Sequence, residues 1–188
     1  MKNFDSLFLI VKMLSENETI HAHGKRVAQI SCAIAQKMRY CDRDFKHIHF
    51  AAIAHDIGKT QIPQEILNKR GVLDDNEVAI IRRHPELGYH VLKDIGSESI
   101  AAEVALQHHE RLDGSGYPFG LRAKDINPVA RIISVADVID TMISAQVYRQ
   151  ALTIDDALQE IRQNSGLLYD SKVAAVSLAL IEKGEFRV

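Results

Sequence analysis

The sequence has only two cysteines, Cys32 and Cys41, and they do not share a CxxC spacing. A cysteine-rich zinc site and a disulfide framework are thereby excluded. Two thiols on or next to one predicted helix read as reduced, which fits a cytoplasmic location. No stretch approaches the roughly 20 apolar residues that span a bilayer. The start Met1-Lys2-Asn3-Phe4-Asp5 lacks the charged flank, apolar core and small-residue cleavage site of an export signal. A membrane is therefore not expected as a partner. Charge of one sign is also missing: 23 Lys and Arg stand against 25 Asp and Glu, for a formal charge of -2. Without a basic stripe, DNA and RNA are not expected partners, and an anionic substrate needs a local site. Internal repeats, low-complexity tracts and heptad runs are absent.

What is present suits one domain with a real core, spanning 1–188: 188 residues with 46% apolar content. Phe4, Leu7, Phe8, Ile10 and Val11 make the segment 1–17 an apolar N-terminal helix, packing on the bundle or on a second copy in a homodimer. Periodicity predicts an all-α chain. Val27, Ile30, Ile34 and Met38 recur at three- and four-residue intervals, giving a helix from about Ile20 to Tyr40 with His23 one turn before Val27. A second helix is expected from an Asp42 cap to Ile57, ended by Gly58, which places His55 and Asp56 in its last turn. Asp74 and Glu77 form a capping-box pattern that opens a short helix through Arg83. Ser97 is the expected cap of a helix ending near His108 and His109. Asn127-Pro128 starts a buried helix carrying Asp137, and Thr153 and Asp170 start the last two. The Gly- and Pro-rich loop over 110–127 is long for a bundle and reads as functional.

Nine histidines are many for this length. In His55-Asp56-Ile57-Gly58-Lys59 an imidazole and a carboxylate follow an apolar run, and burying an ionised Asp there costs several kcal/mol unless a cation or donor compensates. The run His108-His109-Glu110-Arg111-Leu112-Asp113-Gly114-Ser115-Gly116-Tyr117-Pro118 reads as the rim of the same site. His and carboxylate ligands without cysteine suit Fe, Mn or Zn.

The set His23-x-x-Arg26-Val27, His55-Asp56-Ile57-Gly58-Lys59, His84, His108-His109-Glu110-x-x-Asp113-Gly114-x-Gly116-Tyr117-Pro118 and Asp137-x-x-Asp140 resembles the HD-GYP family of the HD phosphohydrolase superfamily, over residues 18 to 182. The resemblance implies an HD-type bundle of about seven or more helices around a metal centre, with a long GYP loop. It also implies hydrolysis of a cyclic dinucleotide, cyclic di-GMP first, by a metal-bridging hydroxide. By the same resemblance His23, His55, Asp56 and Asp137 serve one divalent ion, while Asp56, His84, His108 and His109 serve a second, with Asp56 bridging. Lys59, Asp56 and Asp140 are the expected catalytic residues. Lys59, Gly116, Tyr117 and Arg149 are expected on substrate, and diguanylate cyclase domains as protein partners. Only about 20 residues precede the first motif, too few for a receiver domain on size grounds.

Competing readings stand beside these. His47, His49 and His90 read as surface or structural residues. Asp137 could pair with Arg131 instead, Asp140 could hold Lys59, Lys59 could serve only the helix macrodipole, and Tyr117-Pro118 could be only a turn. The sequence departs from the family at Thr19, where many members carry a Glu that binds a third metal, so two ions are expected unless Glu16 or Glu18 reaches in. It departs again at Gln146, where an Arg usually begins an Arg-Pro-Tyr-Arg stretch, which puts dinucleotide affinity or choice at issue. A degenerate signalling module and a general HD nucleotide phosphohydrolase are the alternatives to the phosphodiesterase.

Overall fold

The computed structural model describes residue 10 and residues 12–94, 99–144 and 151–185. Its helices are α1 (Glu18–Lys37), α2 (Asp42–Ala54), α3 (Gln64–Leu67), α4 (Asp75–Ile81), α5 (His84–Asp94), α6 (Ser99–Gln107), α7 (Pro128–Ile143), α8 (Ile154–Gln163) and α9 (Ser171–Glu182). Among the described residues no strand forms, so the chain is all-α as expected.

Helices α1, α4, α7, α8 and α9 each begin where a side chain satisfies a first free N–H group. Asn17 accepts from Ile20 N at 3.2 Å to open α1. Asp74 and Glu77 close a reciprocal capping box on α4, and Thr153 and Asp156 do the same on α8. Asn127 accepts from Val129 N at 2.8 Å with Pro128 at the first position of α7, and Asp170 accepts from the first N–H groups of α9. The cap of α2 is Cys41 rather than Asp42, because the Asp44 carboxylate reaches back to the Cys41 N–H at 3.3 Å. The expected cap at Ser97 lies outside the described residues.

α7 is the centre of the bundle. Ile132, Ile133, Val135, Ala136 and Ile139 are fully buried on it, and α1, α6, α8 and α9 all pack against it. Each such Ile is worth about 1.5–3 kcal/mol of burial, which fixes the register of this helix. Because the register is fixed, Asp137 and Asp140 are committed to the interior. Ile10 and Leu14 join the same core, so this end of the N-terminal segment packs on the bundle; Phe4, Leu7, Phe8 and Val11 lie outside the described residues.

Two departures from the expected elements shape the site. The second helix stops at Ala54, and Ile57–Gln61 forms a tighter 3-10 turn, which aims His55 and Asp56 inward. The segment His84–Asp94, not anticipated as helix, packs along that turn. A methyl group added at Gly58 would lie 2.0 Å from the His84 carbonyl oxygen and 2.5 Å from Gly88 N. The two backbones thus touch where only hydrogen fits.

Candidate metal centre

Seven ligand-type side chains converge from separate elements. His23 comes from α1, His55 and Asp56 from the turn after α2, His84 from the first residue of α5, His108 and His109 from the turn ending α6, and Asp137 from α7. Two groups form, each with its ligand atoms within 4.8 Å of one another: His23, His55 and Asp56, and Asp56, His84, His108 and His109. Asp56 belongs to both. Asp137 Oδ1 lies beside the first group, 3.1 Å from His23 Nε2 and 3.8 Å from His55 Nε2.

The tautomers are set by what lies behind the rings. His55 Nδ1 is 2.6 Å from Ala52 O, His84 Nδ1 is 2.8 Å from Ile81 O, and His108 Nδ1 is 2.9 Å from Ala105 O. A carbonyl can only accept, so Nδ1 carries the proton and donates it. Each Nε2 is left as a lone pair facing the cluster, the arrangement by which protein metal sites orient imidazoles. His23 Nδ1 is held instead by Asp140 Oδ2, at 2.7 Å.

Asp56 is turned so that its two oxygens face different groups. Oδ2 lies 3.5 Å from His55 Nε2 and 3.7 Å from His23 Nε2, while Oδ1 lies 3.2 Å from His84 Nε2 and 3.7 Å from His108 Nε2. His55 Nε2 and Asp56 Oδ1 are buried without a hydrogen-bond partner among the described residues. His84 Nε2 and His108 Nε2 are 3.3 Å apart. Two lone pairs cannot bond each other. That spacing is one that two nitrogens about 2.0 to 2.1 Å from a common ion adopt. The residues present therefore fit divalent ions: orphaned acceptors, imidazole and carboxylate donors, and no cysteine.

The charges are arranged to the same end. Burial pushes the pKa of His55 down to about 4 despite the neighbouring Asp56, so the ring is neutral at pH 7. Burial also lowers His84, and it lowers His109 well below the usual range. Asp56 is the reverse case: burial favours its neutral form, but the charge of Lys59 outweighs it and holds the carboxyl well below the ordinary value. For His23, burial opposes the charge, yet its bonds to Asp137 and Asp140 raise the pKa from 6.5 to about 9.

The remaining expected residues take definite places. Lys59 donates to Asp56 Oδ2 at 2.5 Å. Asp140 is fully buried and turned away from the Nε2 cluster. It takes both Arg26 Nε at 2.6 Å and Arg26 Nη2 at 3.0 Å while holding His23. It does not pair with Lys59, and its placement is that of a positioning residue. Arg131 bonds Asp170 rather than Asp137. Glu16, Glu18 and Thr19 are exposed and belong to neither ligand group. Arg149 and Gln146 lie outside the described residues.

The loop after His109 folds over the cluster. Tyr117 stacks on His109, with ring centroids 4.7 Å apart and planes at 23°, and the Tyr117-Pro118 bond is cis. A methyl group on Gly116 would meet His109 O, Glu110 Cα and Arg111 N at 2.5 Å, so the loop lies directly on its own root. Residues to which the sequence reading gave no role hold it there. Glu110 accepts from Phe119 N at 2.8 Å and Leu121 N at 2.9 Å. Arg111 donates to Ser134 Oγ at 2.6 Å and to the carbonyls of His108 and Glu110. The adjacency of Glu110 to the His pair was the one available signal.

A helical bundle that gathers imidazoles and carboxylates around one shared aspartate, with a His-Asp pair at a helix end, defines the class of HD-type metal-site domains. The model of the HD domain family matches residues 9–173. The chain belongs to that family and is of its HD-GYP type. It is 40% identical over 175 residues to a cyclic di-GMP phosphodiesterase of Thermotoga maritima, covering 91% of this chain and 48% of that protein. It is 35% identical over 140 residues to a 3'3'-cGAMP-specific phosphodiesterase of Vibrio cholerae, covering 74% of this chain and 32% of the other. The chain thus spans about half the length, or less, of these curated relatives. An HDG"Y"P protein from Bdellovibrio bacteriovorus shares the fold, with a TM-score of 0.72 at 22% identity over 87% of this chain and 52% of that one. Among the described residues no helix is long and apolar enough to cross a membrane.

Proposed function

We propose that this chain is a metal-dependent phosphodiesterase that opens a cyclic dinucleotide, cyclic di-GMP first, to the linear dinucleotide. The observation that carries the reading is Asp56, which offers one oxygen to each of two imidazole groups. His23, His55, Asp56 and Asp137 hold one divalent ion, and Asp56, His84, His108 and His109 hold a second. Fe, Mn and Zn all suit the donors. When bound, such a pair supplies an activated water and neutralises charge that grows on phosphate oxygens. The neutral imidazoles of His55 and His84 keep their lone pairs available without first losing a proton. Asp140 fixes the ring of His23. Lys59, released from Asp56, donates to a nonbridging phosphate oxygen as a point charge. Gly116 and Tyr117 form the substrate-side wall, and Arg149 is a second phosphate contact.

A second substrate, 3'3'-cGAMP, is favoured by the relative that carries that name. Anaerobic purification, metal analysis and turnover of both cyclic dinucleotides with Mn or Fe test the proposal. Tight binding with no product would sink the enzyme reading in favour of a degenerate signalling module. Asp56→Ala should lose both ions and all turnover, and retained hydrolysis would refute the bridging role.

A further inference from the structure

Arg82 caps the C-terminal end of α4, two residues before His84, and is exposed. Its guanidinium carbon lies 5.2 Å from the centroid of the Tyr117 ring, while that ring stacks on His109 at 4.7 Å. Laid end to end, those steps put the charge within about 10 Å of the His109 ring. No carboxylate pairs with Arg82 among the described residues, whereas Lys59 is already bonded to Asp56 and Arg26 to Asp140. A guanidinium resting on an aromatic face keeps its N–H edge free for an oxyanion. A cyclic dinucleotide carries two phosphodiesters. When one occupies the metal centre, the other projects past the ligand residues and needs a cation of its own.

We infer that Arg82 is a substrate-binding residue that clamps the phosphodiester not being cleaved, with Tyr117 as the platform that holds the guanidinium at the mouth of the site. The inference rests on the cyclic dinucleotide reading above and adds to it a basis for preferring two-phosphate rings over simple diesters. A planar fork suits the paired nonbridging oxygens of a phosphodiester better than an ammonium does.

The experiment compares Arg82→Ala, Arg82→Met and Arg82→Lys with the unaltered protein. The readouts are steady-state kinetics with Mn and rapid-mixing binding of cyclic di-GMP to the metal-loaded protein before turnover. Loss of the charge should raise KM and Kd for cyclic di-GMP roughly tenfold or more in both the Ala and the Met variants, with an intermediate effect for Lys. KM for bis(p-nitrophenyl) phosphate, which has one phosphate, should move by less than about twofold. If Arg82→Met restores full affinity, the side chain only packs on Tyr117 and the clamp is overturned. Equal KM and Kd in Arg82→Ala and the unaltered protein overturn the clamp alone. If the unaltered protein neither binds nor cleaves cyclic di-GMP or 3'3'-cGAMP, the substrate reading falls and the clamp falls with it.

Discussion

Asp140 stands 2.7 Å behind His23 Nδ1, and the same carboxylate is gripped by Arg26 from the other side. The aspartate orients the ring whose opposite nitrogen faces the cluster. Replacing it with asparagine keeps the shape and removes the charge. Asp140→Asn should weaken the ion on the His23 side by about tenfold to a hundredfold and leave the His84 side intact. Chelator competition measures the two affinities, and equal losses at both would show general unfolding rather than lost orientation.

The pH response of the metal-free chain follows from two histidines shifted in opposite directions. His23 has its folded pKa raised to about 9 from 6.5, so its stabilisation is complete below pH 6.5 and is lost as pH rises through 9. His55 has its folded pKa lowered to about 4 from 6.5, so its stabilisation is complete above pH 6.5 and is lost as pH falls through 4. Thermal melts without metal should peak near neutrality. An ion must displace the His23 proton, so metal uptake at pH 7 should release about one proton and tighten toward pH 9. Calorimetric titration in two buffers of different ionisation heat counts that proton, and a count of zero would contradict the assigned charge state.

Gly58→Ala places a methyl group against backbone on two sides, 2.0 Å from His84 O and 2.5 Å from Gly88 N. Neither atom can swing away as a flexible side chain could. A loss of at least about 3 kcal/mol in urea unfolding is expected, beyond ordinary overpacking. Gly184→Asn, at φ 64 with nothing within 4 Å of the new carbon, should stay within about 0.5 kcal/mol.

Glu110→Gln tests the loop anchor. The carboxylate accepts from two N–H groups, those of Phe119 and Leu121, whereas an amide turns its own NH2 toward one of them. A cost of about 1.5–3 kcal/mol is expected, confined to the loop. Amide exchange should quicken at 117–121 and substrate KM should rise while metal content holds. Lost metal with unchanged exchange would place Glu110 in the ion site instead.

Much of this site was legible because its residues announce themselves locally. Paired His108-His109, the His55-Asp56 couple and the caps at Asn127, Thr153 and Asp170 depend only on near neighbours in sequence. The helix at His84–Asp94 was not anticipated, and it contains Pro85 and Gly88, two residue types that ordinarily interrupt a helix. Pro85 sits where a first turn tolerates it, and Gly88 leaves room for Gly58, whose N lies 3.2 Å from where a Gly88 methyl would stand. Arg26 and Asp140 are 114 residues apart, and no periodicity relates them. The early end of the second helix has the same origin: the turn at Ile57–Gln61 answers to α5 packing beside it, a tertiary demand that overrides the local continuation of the helix.

The rings of His23, His55, His84 and His108 are each tied at Nδ1 to a carbonyl or carboxylate before any ion arrives. Their rotational freedom is surrendered when the chain folds, not when it meets a cation. The binding event is then spared that entropy, and what an arriving ion must match is a set of ring nitrogens already aimed, which makes the protein interior itself the gauge of ionic radius and coordination.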